Sequence, residues 1–414
     1  LAAISLGGAS QLVAGRSATS PTPALPDPPT SSRGPSFLLL SNFVNESALL
    51  FTGVPVPNAT LNGLPNSPLS LVNIYVGGYG VVPINVSSNV VNVTSAQLSL
   101  NNTVAVRGPW GGAQVVLPYS TPYVLVLLDL RSPIRVSLAA RAPKAVVGRD
   151  EVEVLTTPKI FACYNDTAAA VTNNSVDFTF GSGAGYLMLS LVPCAQASVG
   201  ALVRGNALGI DEWLSRSKLP RGLSSGLARE YYLALLVLKD DQNPTLGTFA
   251  ASPSPLYLYS WVRDSAFAAM ALQAAGHYGS AARYWLWLSS APRLSWGPWY
   301  TRYDFYTGGP DQSFGIPELD SLGLFEVGVY QYYELTHNMT FLQDVADALE
   351  SVAAYQVRAV NSSPFHLVPE DLSVWEDRVA YHFWTEALNM EGLADASYLL
   401  GLLGNSSLSA EAAE

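Results

Sequence analysis

The spacing of apolar residues changes once along the chain, close to Asn206. Before this point, short runs rich in Val, Leu, Ile and Tyr alternate with clusters of Gly, Pro and Asn, which is typical of an antiparallel β-sandwich. After it, apolar residues recur at helical spacing over wide faces, as in a double ring of packed helices. Strands followed by helices predict domains in series. We therefore expect a β-sandwich over residues 36–201, linker helices over 202–250 and a helical ring over 251–414.

The first 35 residues have neither pattern. The segment LAAISLGGASQLVAG starts at Leu1 and is small and apolar, so we interpret it as the remnant of a signal peptide or anchor. Residues 18–35 are rich in Pro, Ser and Thr, which indicates an extended linker. No later apolar run reaches the roughly 20 residues that a membrane helix needs.

The chain carries few charges, and acidic residues outnumber basic ones. Charged residues make up 13% of the sequence, and the formal net charge is −11; globular domains average about 25% charged residues. Nucleic-acid binding needs a basic surface, so we expect no nucleic-acid partner. The sequence also lacks a polybasic segment that could hold anionic lipid.

The glycosylation pattern Asn-x-Ser/Thr recurs along the chain, mostly in polar turns. This density favours a secreted glycoprotein, extracellular or at the cell surface, although Asn, Ser and Thr are also common in β-turns. The positions are Asn45, Asn58, Asn85, Asn92, Asn101, Asn165, Asn173, Asn338, Asn361 and Asn405. In an oxidising compartment Cys163 and Cys194 could form a disulfide; the alternative is two separate buried thiols.

The segment YLYSWVRDSAF places Trp261, Arg263 and Asp264 directly before a predicted helix. These residue types suit a sugar, because a carboxylate accepts hydrogen bonds from neighbouring hydroxyls, an arginine donates them and an indole stacks on a pyranose face. The alternative is structural: Asp264 caps the helix, and Arg263 is its solvated partner.

The segment DLSVWEDR places Trp375, Glu376, Asp377 and Arg378 where a loop is expected to meet a helix. A carboxyl group beside a bulky indole is desolvated, so its pKa rises and it can stay protonated as a general acid. The alternative is a negatively charged first helical turn, which the helix dipole favours.

Three motifs in a fixed order resemble glycoside hydrolase family 15, which contains glucoamylases, glucodextranases and some trehalases. The motifs are GTFAASPSPLYLYSWVRDSAFAAMAL, GIPELDSLGLFEVGVYQYYELT and HLVPEDLSVWEDRVAYHFWTEAL, and the resemblance extends over roughly residues 223–403. It implies that the helical ring is an (α/α)6 barrel, which a β-sandwich precedes in the prokaryotic members.

The resemblance also implies roles for individual residues. Arg263 and Asp264 would grip the glucose at the non-reducing end, with Trp261 in the same pocket wall. Glu376 would be the general acid that protonates the glycosidic oxygen.

The neighbours of Glu376 take supporting roles in this interpretation. Asp377 and Arg378 would bind hydroxyl groups, Trp375 would shield the acid, and Glu318 and Asp320 would line the outer pocket. Three aromatic residues could stack on sugars or fill the core, and the residues alone favour neither role. They are Trp299, Tyr300 and Tyr306.

The family inverts the anomeric centre, which requires a second carboxylate about 6.5–9.5 Å from the acid. No segment here matches the motif of that base, and we interpret AEAAE, with Glu411 and Glu414, as a frayed terminus. The resemblance implies about twice as many helices as the sequence contains, so we expect an incomplete barrel that further polypeptide, a second chain or self-association completes. The alternative is a remodelled barrel. We expect no metal and no cofactor, because the sequence has no zinc motif and no phosphate-binding glycine loop.

Two functions from different classes remain. The first is a secreted, inverting, exo-acting α-glucosidase that releases glucose from starch-like glucans or oligosaccharides. The second is a glycosylated cell-surface or filament subunit that kept the fold and lost catalysis, or that needs a second chain to complete the site.

Overall fold

The computed structural model describes the chain from residue 39 onward, with gaps. The described residues are 39–40, 49–53, 60–61, 64–65, 70–76, 80–82, 84–90, 94–101, 103–116, 118, 123–140, 145–147, 151–155, 159–165, 167–173, 175–190, 193, 198–252, 257–315 and 317–414. The predicted leader and linker, and the predicted glycosylation positions Asn45, Asn58 and Asn92, lie outside these residues.

Strands occupy the first half of the chain. They are β1 (Leu39–Leu40), β2 (Leu49–Gly53), β3 (Thr60–Leu61), β4 (Leu64–Pro65), β5 (Ser70–Val76), β6 (Gly80–Val82), β7 (Ile84–Ser88), β8 (Ser95–Ser99), β9 (Thr103–Gly108), β10 (Gly111–Val116), β11 (Tyr123–Leu130), β12 (Ile134–Ala140), β13 (Ala145–Val147), β14 (Glu151–Val154), β15 (Ile160–Tyr164), β16 (Thr167–Val171), β17 (Ser175–Phe180) and β18 (Gly183–Ser190); two short strands follow among the helices, β19 (Tyr259–Trp261) and β20 (Arg302–Asp304).

The strands up to β18 form two large antiparallel sheets, except β3 and β4, which pair with each other. One has the order β1-β2-β5-β7-β12-β17-β16, with β6 beside β5, and the other has the order β13-β14-β15-β18-β11-β10-β9-β8. Alternate residues of facing strands, such as Val136 and Phe178 in the first sheet and Val126 and Leu187 in the second, form one buried apolar core. The predicted β-sandwich is therefore present, because period-two burial leaves each sheet with one apolar face to cover.

Helices occupy the second half. They are α1 (Val199–Ser215), α2 (Ser225–Asp240), α3 (Val262–Ala274), α4 (Tyr278–Ser290), α5 (Asp320–Thr336), α6 (Met339–Asp344), α7 (Ala346–Ser362), α8 (Phe383–Leu403) and α9 (Ser406–Ala413). None of the helices in the described part of the chain combines the length and apolar character that crossing a membrane requires.

Helix α1 links the two halves. It begins at Val199, a few residues before the predicted start of the helices, because Val199, Leu202 and Val203 pack against the outer face of the second sheet. Its other end carries Trp213, which packs on the apolar core of the helices. Asn206 anchors its middle, since the Asn206 Nδ2 donates to the Asn101 carbonyl at 2.6 Å.

Helix α5 lies at the centre of the helical part and is buried along nearly its whole length. It packs against α3, α4 and α8, and its glycines allow the closest approaches. A Cβ on Gly323 would lie 2.1 Å from the Leu388 carbonyl oxygen of α8, and one on Gly328 would lie 2.2 Å from the Trp285 ring. The two helices α5 and α8 therefore pack almost backbone to backbone at Gly323.

Helices α6 and α7 follow each other and meet at Val345. One local prediction for the helices is wrong. The segment AEAAE is not frayed: it belongs to α9, where Ala412 is buried and Ser409 exchanges hydrogen bonds with Ser397 of α8.

Candidate functional site

Arg263 and Asp264 lie in the first turn of α3, which follows β19 without a loop. Strand β19 pairs with β20, and a hydrogen bond of 2.8 Å between the buried Ser260 and Ser265 hydroxyls joins the strand to the helix. This strand-to-helix junction fixes the direction of the Arg263 side chain. The Arg263 side chain is mostly buried, and the Asp264 side chain is half exposed.

The Arg263 guanidinium binds four carboxyl groups. Its Nη1 donates a hydrogen bond to Glu318 Oε2 and lies 3.6 Å from Asp320 Oδ2. Its Nη2 lies 3.5 Å from Glu376 Oε1, and its Nε lies 3.9 Å from Asp264 Oδ2. The predicted sugar-gripping pair and the predicted general acid therefore meet at one guanidinium, although 112 positions of sequence separate Asp264 and Glu376.

Side chains from two other segments hold the peptide between Glu318 and Asp320. Asp371 Oδ2 accepts from the Leu319 N–H at 2.8 Å, and Asn389 Nδ2 donates to the Leu319 carbonyl at 3.0 Å. The Trp384 indole N–H donates to Asp320 Oδ2 at 2.8 Å. Both buried acids are therefore held in position by backbone and side-chain hydrogen bonds as well as by Arg263.

Glu376 lies on a loop whose two ends are joined by a pair of backbone hydrogen bonds. Asp371 and Ala380 exchange N–H···O bonds of 3.1 Å, and the turn between them includes Ser373 and Glu376, both with left-handed backbones. Helix α8 begins only at Phe383, so the expectation that DLSVWEDR meets a helix is wrong, and so is the alternative of a charged first helical turn. The loop instead aims Glu376 at Arg263.

Exposure divides the four carboxyl groups into two kinds. The side chains of Asp264 and Glu376 are 47% and 32% exposed, whereas those of Glu318 and Asp320 are 2% and 1% exposed. A ligand in this site would therefore touch Asp264 and Glu376. The expectation that Glu318 and Asp320 line the outer pocket is wrong, because they lie behind Arg263.

Burial also changes the acidity of these groups. Desolvation raises the pKa of Glu318 to about 9; the Arg263 charge opposes this, and Asp320 and Glu376 add to it. Desolvation also raises the pKa of Asp320 and that of Asp264, in both cases against the charge of Arg263. The site is therefore biased toward protonated acids.

Trp261 is buried beside the site rather than open to it. The Arg302 guanidinium lies 4.7 Å from the centre of its ring and 4.3 Å from that of Tyr259, and it forms an ion pair of 2.7 Å with Asp311. Since Arg302 covers the Trp261 ring and the residue is 5% exposed, a sugar could contact only the edge of this indole.

The neighbours of Glu376 are more exposed than predicted. The Trp375 side chain does not shield the acid, because the residue is 75% exposed. Asp377 and Arg378 are exposed too, and their side chains make no ion pair with the described residues. Their predicted role in binding hydroxyl groups stays a prediction.

Of the three aromatic residues that could stack on sugars or fill the core, Trp299 belongs to the hydrophobic core. It is fully buried, its indole N–H donates to the Leu288 carbonyl at 2.9 Å, and its ring packs on Phe325. Tyr300 and Tyr306 are half-buried, and their backbone N–H groups bind the Tyr303 hydroxyl and the Asp304 carboxylate, respectively.

Sequence reasoning missed the residues that position the acids. The burial of Asp371 and its bond to Leu319 connect the two motifs. Asn389 and Trp384 lie on α8. Polar or hydrogen-bonding residues on an otherwise apolar helix were the available signal for both.

The remaining predicted sites are the glycosylation positions and the two cysteines. Asn173, Asn338 and Asn361 are exposed, Asn101 is exposed in a turn, Asn165 and Asn405 are half-buried, and Asn85 is in strand β7. Cys163 is disulfide-bonded, and Cys194 lies outside the described residues. Glycosylation and secretion stay predictions. Within the described ranges, no group of three or more His, Cys, Asp or Glu is arranged to hold a metal ion.

Comparison with known proteins agrees with this fold. The model of glycosyl hydrolases family 15 matches residues 226–293. A protein of Schizosaccharomyces pombe (strain 972 / ATCC 24843) named "Probable glucoamylase" is 26% identical over 238 residues, which are 53% of this chain and 51% of that protein. This chain therefore spans about half the length of that relative.

The fold has a solved counterpart. The crystal structure of a bacterial glucoamylase complexed with acarbose superposes with a TM-score of 0.64 at 12% identity, over 93% of this chain and 66% of that one. The likeness shows the fold alone: antiparallel sheets followed by the helices of an α/α barrel. The predicted fold class is confirmed.

Proposed function

We propose that the chain is part of an exo-acting α-glucosidase, because it resembles glycoside hydrolase family 15 in sequence and has a glucoamylase-like fold. The enzyme removes glucose from the non-reducing ends of starch-like glucans with inversion at the anomeric carbon. The observation that carries the proposal is the meeting of Glu376 with Arg263 and Asp264, which places the candidate acid beside the candidate sugar anchors.

The two exposed carboxyl groups, those of Asp264 and Glu376, have different roles in the reaction. Asp264 accepts hydrogen bonds from hydroxyls of the terminal glucose, and Arg263 fixes Asp264 and donates to the same sugar. Glu376, on its separate loop, gives its proton to the glycosidic oxygen as the bond to the anomeric carbon breaks. The carboxylate that activates water on the opposite face is not assigned among the described residues.

The test is Glu376→Gln, with glucose release from maltoheptaose as the readout. Gln keeps the size of the side chain but cannot donate a carboxyl proton, so we expect kcat to fall by about 10²- to 10⁴-fold while KM changes little. Glu370→Gln, an exposed neighbour near the same loop, is the matched control and should hydrolyse maltoheptaose at the wild-type rate.

Undiminished hydrolysis by Glu376→Gln would refute the assignment of the acid. Nuclear magnetic resonance of the first product formed would test inversion, since β-glucose is expected from an α-linked substrate. A wild-type protein that binds maltoheptaose without hydrolysing it would favour the second function, a sugar-binding surface subunit without catalysis.

A further inference from the structure

Arg263 supplies one positive charge to four carboxyl groups. Asp264, Glu318, Asp320 and Glu376 make no ion pair with any other Lys or Arg among the described residues. If all four were ionised, the cluster would hold three uncompensated negative charges, two of them on fully buried side chains. Burying this much negative charge without cationic partners costs too much free energy, so some of these carboxyl groups must be protonated.

The surrounding elements supply little further positive charge. The ionisable groups that face the cluster are Arg263 and Asp264 from α3, Glu318 and Asp320 from the segment entering α5, Asp371 and Glu376 from the loop, and His382 and Glu386 at the start of α8. The charge of His382 acts on Asp371. Asp371 also accepts hydrogen bonds from the Leu319 N–H and the Thr385 hydroxyl, so it has its own partners.

Glu318 is the group whose contacts best suit a retained proton. One of its oxygens accepts from Arg263, while its Oε1 is buried and has no donor among the described residues. Its carboxyl group and that of Glu376 contact the two Nη atoms of the same Arg263 guanidinium, and the nearby Glu376 raises the pKa of Glu318. Two carboxylates cannot hydrogen-bond to each other, but a protonated carboxyl can donate to a carboxylate. The Oδ1 of Asp320 is also buried without a donor among the described residues, but its Oδ2 accepts from the Trp384 indole N–H at 2.8 Å and lies 3.6 Å from Arg263 Nη1, so Asp320 has two donors where Glu318 has one.

We propose that Glu318 works in its protonated form, as a neutral hydrogen-bond donor that connects Arg263 to Glu376 and positions Glu376 for proton transfer. This inference rests on the proposed function. During the reaction the Glu376 proton moves to the glycosidic oxygen as the C–O bond breaks, and Glu376 is left as a carboxylate. The Glu318 hydroxyl then donates to that carboxylate and keeps its own proton throughout. A pKa of about 9 for Glu318 agrees with a retained proton at neutral pH.

The test compares Glu318→Gln with Glu318→Leu. Gln is a neutral donor of the same size, so its kcat on maltoheptaose at pH 7 is expected to stay within about threefold of wild type. Leu has no donor, so kcat should fall about 10- to 100-fold, as for a lost hydrogen bond to a charged group, with a smaller change in KM. Glu370→Gln is again the control.

The pH profile separates a positioning role from a structural one. In both proteins kcat should decline as Glu376 loses its proton, and the wild type should show a further decline near pH 9, as Glu318 loses its proton, that Glu318→Gln lacks. If Gln is as slow as Leu at pH 7, Glu318 is needed as an anion and the inference is overturned.

An infrared measurement makes the test independent of activity. At pH 7 the wild-type spectrum should contain a protonated-carboxyl C=O band that is absent from the spectrum of Glu318→Gln, and an unchanged band overturns the inference. If the wild type does not hydrolyse maltoheptaose, the proposed function fails, and the infrared comparison still decides the protonation of Glu318.

Discussion

Glu376 has a left-handed backbone with φ of +53°, and Ser373 in the same turn has φ of +52°. Residues other than glycine rarely adopt this region, which costs roughly 1–3 kcal/mol unless the surroundings impose it. Here the backbone pairing of Asp371 with Ala380 closes the loop and imposes the turn. The strained residue is the one that points at Arg263, so the strain and the site coincide.

Arg263 is the residue on which the site depends most. Arg263→Met would leave Glu318 and Asp320 buried without a cation, so we expect a loss of about 3–5 kcal/mol in the free energy of unfolding. Arg263→Lys keeps the charge but not the planar fork that reaches several carboxyl groups, so it should lower kcat/KM on maltoheptaose by about 10²-fold or more. Urea denaturation and steady-state kinetics are the measurements.

The matched control for stability is Arg216→Met. Among the residues that the structure describes, Arg216 at the C-cap of α1 forms an ion pair with the exposed Glu212 alone, so its loss should change the free energy of unfolding by about 0.5 kcal/mol or less. An Arg263→Met protein as stable as this control would contradict the central role of the guanidinium.

At the scale of elements, the contact between α5 and α8 sets the position of the acids. Asn389 of α8 binds the Leu319 carbonyl and also accepts from Gln356 of α7 at 2.8 Å, while Gln356 donates to the buried Glu326 of α5. Three helices are therefore joined by side-chain hydrogen bonds below the site. Close helix packing is what brings these short polar side chains together.

Gly323→Ala tests this contact. The added Cβ would lie 2.1 Å from the Leu388 carbonyl oxygen, which belongs to backbone and cannot move aside without shifting α8. We expect a loss of at least about 1–3 kcal/mol in the free energy of unfolding, the range for overpacked sites, together with reduced kcat. Chemical denaturation is the measurement.

Gly205→Ala in α1 is the control for helix propensity. Nothing lies within 4 Å of a Cβ at Gly205, so this change should stabilise the protein by about 0.5–1 kcal/mol. If Gly323→Ala behaves in the same way, the helices are not packed as closely as described.

Across the whole molecule, buried acids with raised pKa values are concentrated in the helical part. Desolvation raises the pKa of Glu318 to about 9 and that of Asp395 to about 7, and it also raises the pKa values of Glu326 and Asp371. The folded state therefore keeps protons that the unfolded chain has released. Stability from such groups is lost as pH rises toward the folded pKa values.

The expected result is a lower melting temperature at pH 8 than at about pH 6.5. Each proton that only the folded state retains lowers the unfolding free energy by about 1.4 kcal/mol per pH unit. His277, whose pKa is lowered to about 4, makes the folded state more stable as pH rises toward its unfolded pKa of about 6.5. The interval from about pH 6.5 to pH 8 lies above that range and avoids this opposite effect. Differential scanning calorimetry of wild type and Glu318→Gln is the measurement.

In that comparison the Glu318→Gln protein should lose less stability than wild type over the same interval. A melting temperature that rises from about pH 6.5 to pH 8 would contradict the assignment of these protons to the folded state.

The order of strands and helices, and the segments that carry the acids, followed from the sequence. A short apolar run such as Tyr123–Leu130 has both faces to bury and specifies a buried strand, and helical spacing specifies the helices in the same local way. The motifs around Asp264 and Glu376 could also be identified from residue type, order and family resemblance.

Only the tertiary structure decided how these segments meet. Asp371, Asn389 and Trp384 became site residues because folding brings α8 and the loop 371–380 against the entrance to α5. The exposure of individual side chains could not be predicted from the sequence either. Trp375 lies in solvent, while Glu318 is buried behind Arg263. Local patterns depend on neighbours along the chain, whereas burial and the pKa values that follow from it depend on what packs from elsewhere.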